Sequence, residues 1–146
     1  MAAALLAPLA ARRDALRRVL SILIARSGEP WQLNHGDPLP SNLLYDGSRC
    51  GLIDWEFTGR YLAGFDLALL RTVLLHTPDA ARGIGERVAA QGIETPFAVN
   101  LAMVLTRELR LHHELPGDHP HRGRLPLIAA AWDNTRRRVH TLAGDV

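Results

Sequence analysis

Two short apolar runs joined by a tight polar turn constrain the fold of this chain more than any other feature. Residues 42–45 form the first run, residues 49–54 form the second, and Asp46-Gly47-Ser48 joins them. An Asp-Gly turn between two apolar runs predicts a β-hairpin. Because the open ends of antiparallel strands are neighbours, Asn42 at the start and Asp54 at the end should lie close together in space.

Helical patterns dominate the rest of the chain. Residues 9–26 carry apolar side chains at helical spacing with arginines between them, which predicts an amphipathic helix. The apolar run 65–76 predicts a buried central helix that forms the core. Further helices are predicted over residues 77–91, 95–113 and 126–142, with Thr77 and Thr95 as N-caps, each followed by proline. The predicted fold class is mainly α (α+β), a helical domain with a small β-hairpin.

Length and composition indicate one globular domain, residues 1–146. A hydrophobic content of 47% argues against disorder, and no apolar run reaches the roughly 18 residues that span a bilayer. The N-terminal apolar stretch precedes its arginines, which is the wrong order for a secretory signal. Cys50 is the single cysteine and cannot form an internal disulfide. We therefore expect a cytoplasmic protein that does not associate with membranes.

The basic residues do not indicate a nucleic-acid-binding protein. All 17 are arginines, lysine is absent, and the formal net charge is only +2. They are spread along the chain apart from Arg136-Arg137-Arg138, and aromatic residues make up just 5% of it. A bound nucleic-acid strand normally requires a clustered basic stripe with interleaved aromatics. The arginine triplet suits the end of a helix, where positive charge favours the macrodipole.

Two segments next to the hairpin carry the residues with chemical potential, His35-Gly36-Asp37-Pro38-Leu39-Pro40-Ser41-Asn42 and Ile53-Asp54-Trp55-Glu56. Phosphoryl transfer needs an oriented hydroxyl and cations that offset the phosphate charge. Asp37 could act as the base for that hydroxyl. The amide oxygen of Asn42 and the carboxylate of Asp54 are ligands that Mg²⁺ prefers. We therefore predict a catalytic loop at residues 35–42 and a metal-binding strand end at residues 53–56.

These segments resemble the aminoglycoside phosphotransferase family, choline-kinase-like small-molecule kinases with a protein-kinase-like fold. The resemblance covers roughly residues 31–71 and includes Gly64-Phe65-Asp66-Leu67-Ala68, although Leu39 stands where the family often has a second histidine. It implies ATP or another NTP as phosphoryl donor, Mg²⁺ as cofactor and a small-molecule hydroxyl as acceptor. It also implies that Asp66 starts the central helix and holds the catalytic loop through hydrogen bonds to the loop backbone.

The resemblance is to the C-terminal lobe alone. A kinase places a lysine on the ATP phosphates and a glycine-rich loop over them. The 34 residues before His35 follow a helical pattern, and Gly28 is their only glycine. We therefore expect the N-lobe to be absent. The chain would be half of a split or truncated enzyme, with an N-lobe polypeptide as its partner. Alternatively, it would be a non-catalytic binding or regulatory module that keeps the fold.

Several residues have ordinary structural explanations. An isolated Gly-Asp-Pro is usually a turn, and His35 is expected to support the loop by packing and hydrogen bonding instead of handling protons. Glu56 could lie near the metal or could be an exposed acid. His112, His113, His119 and His121, at and after the end of the helix predicted over residues 95–113, match no zinc signature and suit a solvated loop. Trp55 and Trp132 are expected in the core.

Overall fold

The computed structural model describes residues 31–144 together with residues 17, 18, 20, 21, 24 and 25. These six residues are all helical, and Leu20 packs into a core cluster. The rest of the helix predicted over residues 9–26 lies outside the described residues. Within the described part of the chain, no helix is both long enough and apolar enough to cross a membrane.

Four short strands precede four helices. The strands are β1 (Trp31–Asn34), β2 (Leu43–Tyr45), β3 (Cys50–Leu52) and β4 (Gly59–Leu62). The helices are α1 (Phe65–Val73), α2 (Pro78–Gln91), α3 (Glu94–Glu114) and α4 (Leu125–Ala143). Short 3₁₀ turns lie at Pro40–Asn42, Trp55–Phe57 and Pro120–Arg124. The prediction of a mainly α fold with a small β component is confirmed.

The predicted hairpin is formed by β2 and β3, in antiparallel register with Leu43 opposite Leu52. Its turn is organised by Asp46, whose Oδ1 accepts hydrogen bonds from the backbone of Arg49 (2.7 Å) and Ser48 (2.9 Å). The same oxygen accepts from the Ser48 hydroxyl at 3.0 Å. These hydrogen bonds, that of Arg49 first, lower the pKa of Asp46 because they stabilise its charged form. The residues of the turn itself, 46–49, thus determine the hairpin.

A second antiparallel ladder was not predicted. Strand β1 pairs with β4, so that Trp31 lies opposite Leu62 and Asn34 opposite Gly59. No strand was predicted over residues 59–64, whose partner strand is separated from them by residues 35–58. The ladder closes the base of residues 35–58, which contain both segments predicted to carry chemistry. It therefore holds the two ends of the candidate site together.

The core lies mainly between the two longest helices. The largest fully buried side chains are Val99 and Leu105 on α3 and Ile128 and Val139 on α4. The expectation that residues 65–76 form the core is correct only in part. Helix α1 spans nine residues and buries Ala68, Leu69 and Thr72. Helices α3 and α4 have 21 and 19 residues and therefore present more turns to each other.

Helix ends follow the sequence signals unevenly. Gly92, with φ 64°, ends α2 in the left-handed conformation that glycine adopts at low cost. Thr77 occupies the N-cap position of α2, but its side chain makes no capping hydrogen bond. Thr95 is not an N-cap, because α3 begins at Glu94 and its N-cap is Ile93. Arg124 donates to the backbone oxygens of Thr72 (3.0 Å) and Val73 (3.3 Å), at the C-terminus of α1.

A buried asparagine fixes α3 against the segment between β4 and α1. Asn100 is 3% exposed, and its Nδ2 donates to the backbone oxygens of Leu62 (3.0 Å) and Ala63 (2.9 Å). Replacing it with alanine would remove both of these hydrogen bonds from a buried site. We expect Asn100→Ala to lower the free energy of unfolding by roughly 2–4 kcal/mol, measured by urea denaturation.

The matched control is Asn134→Ala on α4, because Asn134 is exposed and its hydrogen bond to Arg137 joins two side chains on one helix. This variant should change the free energy of unfolding by less than about 0.5 kcal/mol. Equal losses for the two variants would contradict the role given to Asn100.

Candidate active site

The loop of residues 35–42 runs from the end of β1 to the start of β2. Gly36 adopts φ 89°, a left-handed conformation that lets the chain reverse directly after β1. The backbone N–H of Leu39 then donates to the oxygen of Asp37 at 2.8 Å, and that of Asn42 donates to the oxygen of Leu39 at 2.9 Å. The loop is therefore held in one compact shape by its own backbone hydrogen bonds.

Asp66 ties the start of this loop to the first turn of α1. Its Oδ2 accepts from the backbone N–H of His35 at 2.8 Å, and its Oδ1 accepts from that of Gly36 at 3.0 Å. The backbone N–H of Asp66 is 3.4 Å from Oδ1 of Asn34, at the end of β1. A carboxylate that accepts two backbone N–H groups makes charge-assisted hydrogen bonds, which are stronger than neutral ones. The loop is thus anchored to the helical part of the fold.

His35 is 3% exposed and uses both ring nitrogens within the protein. Its Nδ1 accepts from the backbone N–H of Asp37 at 3.3 Å, so this nitrogen carries no proton. Its Nε2 lies 2.9 Å from the oxygen of Ile53 and must be the protonated nitrogen, because a carbonyl can only accept. The neutral ring therefore bridges the loop and the end of the hairpin, and neither nitrogen is free for a substrate.

Asp37 and Asn42 are in direct contact across the loop. Nδ2 of Asn42 donates to the backbone oxygen of Asp37 at 2.9 Å and to its Oδ2 at 3.2 Å. Asp37 is half-buried, and Asn42 is 9% exposed. The amide hydrogens therefore point towards Asp37. The amide oxygen of Asn42 is left with one weak contact, the Ser41 hydroxyl at 3.5 Å.

The hairpin brings Asp54 next to the end of the loop at Asn42. The backbone N–H of Ile53 donates to the oxygen of Asn42 at 3.0 Å, so Asp54 follows directly after a residue bonded to Asn42. Asp54 has φ 64° and ψ 64°, the only positive φ of a non-glycine residue in the described part of the chain. Its carboxylate is exposed and has no hydrogen bond or ion pair with the residues that the structure describes. Strained backbone of this kind is concentrated at functional sites.

The oxygens of Asn42 and Asp54 suit a hard divalent cation. The amide oxygen contacts only the Ser41 hydroxyl within the described part of the chain, and the carboxylate has no hydrogen bond or ion pair there. Mg²⁺ binds through few protein oxygens together with phosphate and water. Among the described residues, no group of three or more His, Cys, Asp or Glu side chains could hold a metal ion. A site built from Asn42 and Asp54 would thus need oxygens from a bound ligand.

Residues 55–58 pack against the loop of residues 35–42, a contact that was not predicted from the sequence. The expectation that Trp55 lies in the core is wrong, because the side chain is 55% exposed. Its Nε1 donates to the oxygen of Leu52 at 2.9 Å, and its ring lies 4.6 Å from that of His35. Glu56 is also exposed. A Cβ atom on Gly36 would lie 2.3 Å from the oxygen of Phe57, so the turn packs directly against the loop.

Comparison with known families identifies the class of protein. The family model of the phosphotransferase enzyme family matches residues 1–101, which include the loop, the hairpin, α1 and α2. The chain therefore belongs to this phosphotransferase family, and the family prediction made from its sequence is confirmed. No curated protein and no solved structure gives a significant match to the chain.

Proposed function

We propose that this chain carries the catalytic loop of an ATP-dependent kinase that phosphorylates a hydroxyl group on a small molecule. The observation that carries the proposal is the contact between Asp37 and Asn42, held beside Asp54 by the Ile53–Asn42 hydrogen bond. A base, an amide oxygen and a second carboxylate within one loop and one hairpin are the groups that phosphoryl transfer requires. Membership of a phosphotransferase family supports this proposal.

Asp37 is the proposed base. Its Oδ2 is oriented by the Asn42 amide, which leaves Oδ1 to accept a hydrogen bond from the attacking hydroxyl. Because the loop is held by Asp66 and His35, the carboxylate keeps its direction without help from the substrate. Positioning of this kind lowers the entropic cost of bringing the hydroxyl in line with the transferred phosphate. Asp66 and His35 are therefore positioning residues in this proposal.

Asn42 and Asp54 are the proposed Mg²⁺ ligands. A bound Mg²⁺ would offset negative charge on the nucleotide phosphates. The left-handed backbone at Asp54 and the amide orientation at Asn42 keep both oxygens available. Glu56 lies two residues further along and is the competing acidic ligand, so a matched pair of substitutions can separate the two.

Residues outside these 146 are proposed to complete the nucleotide site, because the sequence contains no lysine. The surface next to the loop supports such a partner. Eight of the large hydrophobic side chains that are exposed in the described part of the chain fall within residues 31–57, namely Trp31, Leu33, Leu43, Leu44, Tyr45, Ile53, Trp55 and Phe57. Exposed hydrophobic side chains concentrated in the stretch of chain that carries the candidate site suit burial against a ligand or another protein element. A polypeptide that carries a phosphate-binding lysine fits this description.

The test is a calorimetric titration with ATP and Mg²⁺ of the phosphotransferase that contains this chain, with the Asp54→Asn and Glu56→Gln variants in parallel. We expect Asp54→Asn to weaken Mg²⁺-dependent ATP binding about tenfold or more, and Glu56→Gln to leave it unchanged. Each substitution removes one exposed carboxylate, so a difference between the two variants cannot come from the loss of a negative charge alone. A reversed result would assign the metal to Glu56. If ATP fails to bind even with the lysine-bearing partner present, the chain is a non-catalytic module.

A further inference from the structure

A cavity of about 280 Å³ lies among α1, α2, α3 and α4 and is lined by none of the residues of the candidate active site. Arg71 of α1 and Arg138 of α4 supply two cationic groups to its lining, and Asn134 and Thr135 add polar groups. Helix α2 contributes Ala81, Ile84 and Gly85, and helix α3 contributes Phe97, Ala98 and Leu101. The cavity thus combines positive charge with an apolar wall.

Arg71 is a charged group without a counterion among the residues that the structure describes. Its Nη1 is fully buried and has no hydrogen-bond partner within the described part of the chain. Burial lowers the pKa of Arg71, because desolvation disfavours the charged form, but arginine remains protonated in proteins. Arg71 as a whole is half-buried, but a buried donor atom without an acceptor is still costly, so natural proteins normally pair such a group. The missing negative charge is therefore the unusual feature of this cavity.

The other charged groups of the region do not compensate Arg71. Among the residues that the structure describes, no acidic residue lines the cavity, and Arg138 has no hydrogen bond or ion pair. The acidic residues Asp79 and Asp133 each pair with an arginine on their own helix, Arg82 and Arg136. Two arginines consequently line one cavity whose described lining residues carry no negative charge.

A purely structural arginine in this fold has a different environment. Arg124 also contacts α1, and it donates to the backbone oxygens of Thr72 and Val73 at the C-terminus of that helix. Its charge is therefore placed where the helix dipole favours it. Arg71 begins the last turn of the same helix but leaves Nη1 without such a bond. Because Arg71 lines the cavity, the remaining N–H groups of its guanidinium are the ones that can donate to an acceptor there.

We propose that this cavity binds a small organic anion, with its carboxylate or phosphate group on Arg71 and Arg138 and its apolar body against Ile84, Phe97 and Leu101. The planar guanidinium group matches both kinds of anion through paired hydrogen bonds. An apolar cavity of about 150 Å³ can hold a benzene ring, so the space suits a ligand with one ring and one anionic group. This site is separate from the catalytic loop and does not depend on the proposed kinase function.

Phenyl phosphate and phenylacetate are the probes, with benzyl alcohol as the neutral analogue, all at constant ionic strength. We expect both anions to bind the chain by calorimetry and to raise its melting temperature, and benzyl alcohol to bind at least tenfold more weakly. Arg71→Met and Arg138→Met should each weaken binding of phenyl phosphate about tenfold or more, because each removes a charge-assisted hydrogen bond. Asp37→Asn should leave that affinity unchanged, which separates this cavity from the catalytic loop.

Arg82→Met is the matched control. It removes one exposed arginine from α2, whose inner face lines the cavity, and should not change the affinity for phenyl phosphate. Arg71→Met is also expected to melt at or above the temperature of the parent protein without ligand, since it removes a half-buried arginine whose Nη1 is buried without a partner among the described residues. Should Arg71→Met fail to fold, the exposed Arg138→Met variant decides. Unchanged affinity in Arg138→Met, or equal binding of benzyl alcohol, would overturn the proposal.

Discussion

Replacing Asp37 with asparagine is expected to lower kcat for phosphoryl transfer about 10²- to 10⁴-fold in the active phosphotransferase that contains this chain. The amide keeps the shape of the side chain, and its oxygen can still accept the hydrogen bond from Asn42 at Oδ2. It cannot accept a proton from the attacking hydroxyl. The loss should therefore appear in the rate of the chemical step, measured by single-turnover kinetics with ATP and the hydroxyl substrate.

The control for Asp37→Asn is Glu56→Gln, which also removes one negative charge near the loop but leaves the base in place. Its kcat should stay close to that of the parent enzyme. The melting temperatures of both variants should match that of the parent, because neither substitution removes a buried contact. A rate for Asp37→Asn within threefold of the parent would show that Asp37 is not the base.

Gly36→Ala is expected to lower the free energy of unfolding by roughly 2–5 kcal/mol, through backbone strain and steric overlap together. Gly36 has φ 89°, and an added Cβ would lie 2.3 Å from the oxygen of Phe57. Real Cβ atoms do not approach backbone so closely, so the loop or the turn that contains Phe57 must move. Activity should fall as well, because Asp37 follows directly. Urea denaturation and single-turnover kinetics measure the two effects.

Gly47→Ala separates strain from overlap. Gly47 also has a positive φ, 97°, but an added Cβ would meet no atom within 4 Å. This variant should therefore lose only the strain contribution, about 1–2 kcal/mol. Gly36→Ala must lose clearly more than Gly47→Ala if the contact with Phe57 matters. Similar losses in the two variants would show that the backbone conformation alone accounts for the effect.

Structural elements that depend on neighbouring residues were predicted correctly from the sequence. The hairpin follows from the Asp46-Gly47 turn, and the end of α2 follows from Gly92. The start of α3 was predicted incorrectly, since Thr95 lies inside the helix instead of at its N-cap. A Thr-Pro pair suits both the N-cap and the first turn of a helix, and packing of the surrounding residues decides between them.

Contacts between distant residues could not be predicted from composition or periodicity. Asn100 bonds to the backbone 37 and 38 residues before it, and nothing in its neighbours marks it as buried and bonded. Trp55 was expected in the core, yet it is exposed and its ring lies beside that of His35. Residue type gives only the average tendency of a side chain to be buried, whereas its place in the tertiary structure determines its actual exposure.

The sequence by itself determined the family, the mainly α fold and the identity of the residues proposed for chemistry, because these depend on residue types at fixed local spacing. Only the tertiary structure decided how those residues are held. The β1–β4 ladder closes the base of the loop, and Asp66 accepts hydrogen bonds from the backbone of His35 and Gly36, which are distant from it in sequence. Asn42 directs its amide hydrogens towards Asp37. The cavity around Arg71 likewise exists only where four helices meet. Such arrangements depend on long-range packing, to which no local pattern in the sequence corresponds.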